Sequence, residues 1–154
     1  MKKIGDKRII GRTDKVDLPD FKIKNISVKI DTGAYTSSIH CSSVKLAGEN
    51  NELLRFKIFD TGEEWEGREF ETKDFTERDI KNSFGQIEKR FVIKTRIKIF
   101  RKSLETEFSL SDRSNMKHPV LLGRKLLRDA NLIVDVARFN LSFKYKRKKR
   151  RKKL

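Results

Sequence analysis

Residues Arg90–Leu110 read RFVIKTRIKIFRKSLETEFSL, and their period of two decides the fold class. Phe91, Ile93, Thr95, Ile97 and Ile99 fall on one face of an extended chain. Arg90, Lys94, Arg96 and Lys98 fall on the other, interrupted only by Val92. Such alternation marks a strand with one buried face. Arg101-Lys102-Ser103 makes a short connection, after which Leu104, Thr106, Phe108 and Leu110 alternate with Glu105, Glu107 and Ser109. A hairpin of the two strands sets a basic outer face beside an acidic one, where opposite charges pair across strands.

Outward from this hairpin the pattern repeats. Leu53–Phe59, Ile26–Ile30, Ser38–Leu46 and Phe139–Phe143 read as strands, and Leu132–Val136 is a short apolar run of the buried-strand type. Arg124–Ala130, after Gly123, reads as a helix with Leu126 and Leu127 on its apolar face. The charged stretch 60–89 lacks a clear period, apart from a turn signal at Asn82-Ser83-Phe84-Gly85. No Gly- or Pro-rich linker divides the chain and no internal repeat occurs. The expectation is an all-β domain, a single closed β-barrel, with one short helix.

Composition bounds what such a domain can be. The chain has 154 residues and a formal charge of +16, from 38 basic and 22 acidic residues. Nine of the basic residues lie in 144–154, KYKRKKRRKKL; without them 29 basic residues face the 22 acidic ones, a net +7. The expected organisation is therefore a folded domain over 1–143 and a disordered basic tail over 144–154, since like charges repel and nothing apolar folds the tail. One cysteine, Cys41, excludes an internal disulfide. The apolar runs are too short to span a bilayer, and the first residues lack the apolar stretch of a secretory signal. A soluble protein of a reducing, cytoplasmic compartment is expected. The positive balance points to an anionic partner.

Residues 26–38 read ISVKIDTGAYTSS: an apolar strand running into Asp31-Thr32-Gly33-Ala34 and a turn rich in hydroxyls. Alone, Asp-Thr-Gly reads first as an ordinary turn. Its chemical reading is a carboxylate held rigidly and partly buried at a strand end, where its ionisation is tuned. Gly33 permits close backbone approach and Thr32 supplies a hydroxyl that locks the loop. A second element favours the chemical reading. Residues 119–127, PVLLGRKLL, run from an apolar strand through Gly123-Arg124 into a helix. This resembles the segment that packs behind the Asp-Thr-Gly-Ala loop of retroviral aspartic proteases.

On a wider view, IIGRTDKVDLPDF, KIDTGAYTSSIHC and DRSNMKHPVLLGRKLL with LIVDVARF resemble the bacterial retropepsin-like family historically labelled "ATP-dependent zinc protease". The resemblance covers residues about 9–143 and omits the basic tail. It implies a single-lobe aspartic protease; some members are associated with ATP-grasp ligases that add glutamate tails to a ribosomal protein, and are implicated in trimming them. An aspartic protease needs two carboxylates sharing a proton, and this chain has one Asp-Thr-Gly. A two-fold homodimer would bring two copies of Asp31 face to face. The resemblance then makes Asp31, Thr32 and Gly33 catalytic, with Ala34, Tyr35 and Thr36 toward the substrate. It also implies a flap, best placed at 79–90 with its tip at Asn82, Ser83, Phe84 and Gly85, and arms bearing Arg78, Lys81, Lys89 and Arg90.

Two departures bear on the site. Retroviral enzymes place an acid after Asp-Thr-Gly-Ala to pair with the Arg of Gly-Arg, and many bacterial members place a basic residue; here the position is Tyr35. Arg124 is left to pair with Asp112, Asp129 or Asp135, or to face a substrate carboxylate. The "zinc" of the family label finds poor support. His40 and Cys41 are adjacent and point to opposite faces of a strand, His118 is distant in sequence, and no His-Glu-x-x-His or Cys-x-x-Cys occurs. His40 reads as a hydrogen-bonded residue near the loop and Cys41 as a core residue. No phosphate-binding loop is present, and neither metal nor other cofactor is expected.

The surplus of positive charge suits an acidic or glutamate-rich peptide or protein tail as substrate. The basic tail suits non-specific contact with RNA or the ribosome, and no contact with a membrane is expected. A second reading stays open at this level: a non-catalytic basic β-barrel module that binds RNA or the ribosome.

Overall fold

The computed structural model describes residues 3–58, 67–82, 84–112 and 117–153. In chain order the strands begin with β1 (Lys3–Ile4), β2 (Lys7–Ile10), β3 (Thr13–Leu18), β4 (Ile23–Ile30), β5 (Ser37–Ala47) and β6 (Leu53–Ile58). They continue with β7 (Phe70–Thr72), β8 (Phe75–Lys81), β9 (Ile87–Ile99), β10 (Lys102–Asp112) and β11 (Val120–Leu122). Helix α1 (Arg124–Asp129), strand β12 (Leu132–Val134) and helix α2 (Leu141–Lys153) follow. The fold is mostly β, as the alternation requires.

Nine strands join in one sheet whose path runs β10-β9-β3-β4-β11-β5-β6-β7, with β8 on β9. β10 pairs antiparallel with β9 on one side and parallel with β5 on the other, so the pairings return on themselves through six strands. β1, β2 and β12 form a separate small sheet. The predicted face of β9 is the buried one: Ile93, Thr95, Ile97 and Ile99 are each at most 3% exposed. They meet Val28, Ile39, Phe108, Val120, Leu122 and Leu126 in one core. Each such apolar side chain contributes roughly 1.5–3 kcal/mol when fully buried. Phe21, Phe56 and Phe70 pack with ring centroids 5.4–5.8 Å apart.

Among the described residues one ion pair joins the outer faces of β9 and β10, and it is diagonal rather than directly opposite; Glu107 and Arg96 find partners on β8, α1 and the turn at Asp20. Lys94 meets Glu105 at 3.3 Å, while Glu107 takes Arg78 and Lys125. Arg96 turns away to Asp20, donating from Nε and Nη2 to one carboxylate oxygen at 2.9 and 2.6 Å.

Two features differ from the sequence reading. The β9–β10 connection is two residues, Phe100 and Arg101, both left-handed at φ 49° and 64°. This geometry matches strand twist but is costly for bulky side chains. It is held by its neighbours: the Phe100 N–H donates to Ser142 Oγ at 2.7 Å and Arg8 donates to the Phe100 carbonyl. The second difference is the chain end. Phe139–Phe143 is not a strand, and 144–153 is a helix rather than a disordered extension, so the described residues hold two α-helices beside a single 3-10 turn at Pro19–Phe21. Asn140, at φ 57°, turns the chain, and the N–H groups of Ser142 and Phe143 then donate to the buried Asp14 carboxylate at 2.9 and 3.1 Å. Lys146 Nζ donates to both carboxylate oxygens of Asp17 and to the Asn25 side-chain Oδ1. Leu141 and Tyr145 pack against the core. Tertiary capping overrides the self-repulsion of the basic run. Among the described residues no helix is long and apolar enough to cross a membrane.

Candidate active site

Asp31 is the first residue past β4. Its N–H donates to the Leu122 carbonyl at 2.9 Å, which continues the parallel β4–β11 ladder by one bond and fixes where the loop begins. The loop closes on itself: the Gly33 N–H donates to Asp31 Oδ1 at 3.0 Å, and the Ala34 N–H to the Asp31 carbonyl at 3.3 Å. A Cβ on Gly33 would sit 3.2 Å from Asp31 Oδ1, so the glycine keeps the carboxylate clear.

The start of α1 braces this loop from behind. The N–H groups of Arg124 and Lys125 donate to the carbonyls of Ala34 and Tyr35 at 2.8 and 3.1 Å. The Gly123 N–H donates to Ser37 Oγ, and Arg124 Nη1 to the Thr32 carbonyl at 3.0 Å. The guanidinium also lies over the Tyr35 ring, 5.9 Å from its centroid. Four hydrogen bonds thus tie the Asp-Thr-Gly-Ala loop and its turn to the Gly-Arg segment.

Asp31 opens on a cleft of ≈780 Å³. One side is the loop, with Gly33, Ala34, Tyr35 and Thr36; the other is hairpin β8–β9, with Asp79, Lys81, Asn82 and Arg90. The Asn82 side chain shapes the hairpin tip, accepting from the N–H groups of Phe84 and Gln86 at 3.0 Å each, and Gly85 is left-handed. Phe84 and Ile87 stand out at this tip, 87% and 73% exposed. The cleft wall between the two is a polar row. Parallel pairing of β5 with β10 sets Ser109 beside Ser38 and Ser111 beside His40, and all four line the cleft.

Residues 9–145 match the RimB-like family, described as the retropepsin-like aspartic endopeptidase RimB. The chain belongs to this family. Two relatives named "Probable alpha-L-glutamate ligase" are also similar. The one from Desulfotalea psychrophila is 33% identical over 144 residues, covering 85% of this chain and 28% of the relative. The one from Shewanella halifaxensis is 31% identical over 133 residues, covering 83% and 28%. The chain thus spans little more than a quarter of the length of these curated relatives. A solved structure of a Legionella pneumophila protein with unknown function (DUF785) superposes with a TM-score of 0.70 at 26% identity, over 88% of this chain and 98% of that one.

Within this RimB-like frame the predicted residues fall as follows. Asp31, Gly33, Ala34, Tyr35 and Thr36 line one cleft with Asn82. Thr32 is exposed beside it, and its carbonyl accepts from Arg124. Phe84 and Gly85 lie at the hairpin tip; Ser83 is outside the described residues. Arg124 finds a partner in the loop, but a carbonyl and a ring rather than a carboxylate. Asp129 lies beside Arg128, Asp135 accepts from the Ala137 N–H, and the Asp112 side chain is outside the described residues. Tyr35 therefore supplies its ring where the retroviral pattern has an acid. His40 is buried and faces the cleft, while Cys41 is buried in the core, as opposite faces of β5 demand. Among the described residues no group of three or more His, Cys, Asp or Glu is arranged to hold a metal.

The sequence reading passed over Ser38, Ser109, Ser111 and Leu121, which also line the cleft beside Asp79 of the expected flap. Their signal was present as polar residues two apart on otherwise buried strand faces, Ser38 with His40 and Ser109 with Ser111. Only the β5–β10 pairing joins those two pairs.

Proposed function

We propose that the chain is an aspartic peptidase working as a homodimer, with the two Asp31 carboxylates as its acid–base dyad and acidic or glutamate-rich tails as its substrates. The observation that carries this reading is the Asp31 loop: a carboxylate fixed by its own loop amides and by β11 and α1, at the side of a cleft closed opposite by a hairpin. One carboxylate accepts a proton from the attacking water while the other, protonated, donates to the scissile carbonyl oxygen. Two such groups a few ångströms apart share one proton because both cannot ionise. Thr32, exposed in the single chain, braces the paired loops. Ala34, Tyr35 and Thr36, with Asn82, Phe84 and Gly85 of the hairpin, contact the peptide.

Charge supports the substrate class. It does so through the whole chain rather than the cleft itself, where Lys81 and Arg90 are matched by Asp31 and Asp79: the formal charge of +16 attracts an acidic chain toward the protein. The relatives named as glutamate ligases put glutamate chemistry beside this domain, and a hydrolase of glutamate-rich chains suits that setting. The test is incubation of wild type and Asp31→Asn with poly-glutamate and with a glutamate-tailed protein, reading product masses. Wild type shortens the tails; the variant loses at least about 100-fold in rate. Hydrolysis by Asp31→Asn at the parent rate sinks the proposal.

A further inference from the structure

A second cleft, of ≈380 Å³, lies between β3, β4, the β9–β10 turn and α2, and shares no lining residue with the Asp31 cleft. Six basic side chains line it: Lys15, Lys24, Lys98, Arg101, Lys146 and Arg150. Its one carboxylate, Asp17, is already held by Lys146 Nζ at 2.8 and 2.9 Å. The body supplies four of these cations from separate elements. The helix supplies the other two on one face, where Ser142, Lys146 and Arg150 recur every four residues.

Gathering like charges this way is unfavourable unless an anion sits among them, and like charges four apart also weaken a helix. The cost is not avoided locally. Lys146–Asp17 is the one ion pair made by α2 among the described residues, and 147–153 is an unbroken basic run, RKKRRKK. The turn that presents Arg101 is left-handed at both residues, yet held on α2 by Ser142.

Partner chemistry follows from what accompanies the charge. Residues 146–153 carry no apolar side chain to enter a lipid surface. The nearby rings carry cations of the chain itself: Lys15 and Arg147 lie 5.0 and 5.6 Å from the Phe143 centroid, and Arg8 and Lys149 5.3 and 5.5 Å from that of Tyr145. Base stacking is thus not what this surface offers, and phosphate contact is. We propose that the cleft and the outer turns of α2 form one binding site for a nucleic-acid phosphate backbone, apart from the Asp31 cleft and indifferent to base sequence.

The site is tested by fluorescence anisotropy of a labelled short RNA hairpin with the full chain over a range of KCl concentrations. Binding should weaken linearly in log–log form with salt. Lys24→Gln with Lys98→Gln, both exposed strand positions, should lower affinity about tenfold at low salt and reduce the salt slope by about 2, with an unchanged thermal melt. Asp31→Asn should bind RNA as wild type does, so failure of the peptidase reading leaves this one intact. Three results overturn it: no binding at low salt, full affinity in the double variant, or stronger binding to phosphatidylserine vesicles than to RNA.

Discussion

A Cβ built on Gly123 would lie 2.7 Å from the Tyr35 carbonyl oxygen and 2.8 Å from the Thr36 carbonyl carbon. Both are backbone atoms of the turn that follows Asp31, so no side chain can swing aside. Gly123→Ala should push that turn off α1, strain the Arg124 and Lys125 amide bonds, and move the carboxylate. Overpacking of this kind costs about 1–3 kcal/mol, or roughly 3–10 °C in Tm for a domain of this size. Peptidase activity should fall about 100-fold, because displacement near 1 Å is enough. A thermal melt alongside the tail-shortening assay checks both. Asp20 gives a second prediction at this scale. The Arg96 guanidinium and backbone N–H hold its carboxyl down to about 2, from an ordinary 3.8. The folded state thus favours the ionised form, and its contribution is complete above 3.8 and lost as pH falls toward about 2. Asp20→Asn should therefore be less stable than wild type in urea denaturation near neutrality, with the difference shrinking as pH falls from 3.8 toward about 2, so that its acid limb is flatter.

Helix α2 exists because of a residue 128 positions away from Ser142 in the chain. Asp14 receives three N–H donors, from Lys15, Ser142 and Phe143, in a nearly inaccessible place. Asp14→Ala should free the first turn, cost about 1–2 kcal/mol as a lost cap, and speed amide exchange through 142–146. Burial pushes the Asp14 carboxyl up, against the pull of its three donors and Lys144. Ionising it therefore drains stability as pH rises above 3.8, and Asp14→Asn, with no charge to bury, should gain on wild type across that rise. The same element explains what the sequence could and could not disclose. Strand alternation in 90–110 and 26–30 is a local signal, and those strands form as read. The Asp-Thr-Gly loop and the Gly-Arg segment were legible because each carries its own turn chemistry. Phe139–Phe143 alternates too, but Asn140 breaks it with a left-handed backbone, and a distant carboxylate then starts a helix. Nothing within 139–153 signals Asp14. The polar row of the cleft was hidden for a similar reason: Ser38 and Ser111 become neighbours only through parallel pairing of β5 and β10.

At the scale of the whole molecule, one chain offers one Asp31 loop, and the question is where the second carboxylate comes from. Asp79 shares the cleft but sits on the exposed β8 arm, opposite Lys89. Its backbone is paired with β9, but among the described residues no loop amide holds its carboxylate as the Gly33 N–H holds that of Asp31. In the homodimer we propose, a second copy would supply an equally braced partner and would cover the exposed Thr32 and the bare apolar tip at Phe84 and Ile87. This makes a prediction that no monomeric enzyme shares. Adding Asp31→Asn chains in excess to a fixed amount of wild type should suppress peptidase activity, because mixed dimers hold one carboxylate and one amide. At a ninefold excess with free exchange, about a tenth of the wild-type chains remain paired with one another, so activity should fall to about a tenth. The residual activity should keep the bell-shaped pH profile of an intact dyad, since each surviving wild-type pair still titrates as a unit. If the wild-type rate is untouched at every ratio, while sedimentation shows the chains exchanging, the second carboxylate lies within the same chain and Asp79 becomes the residue to replace.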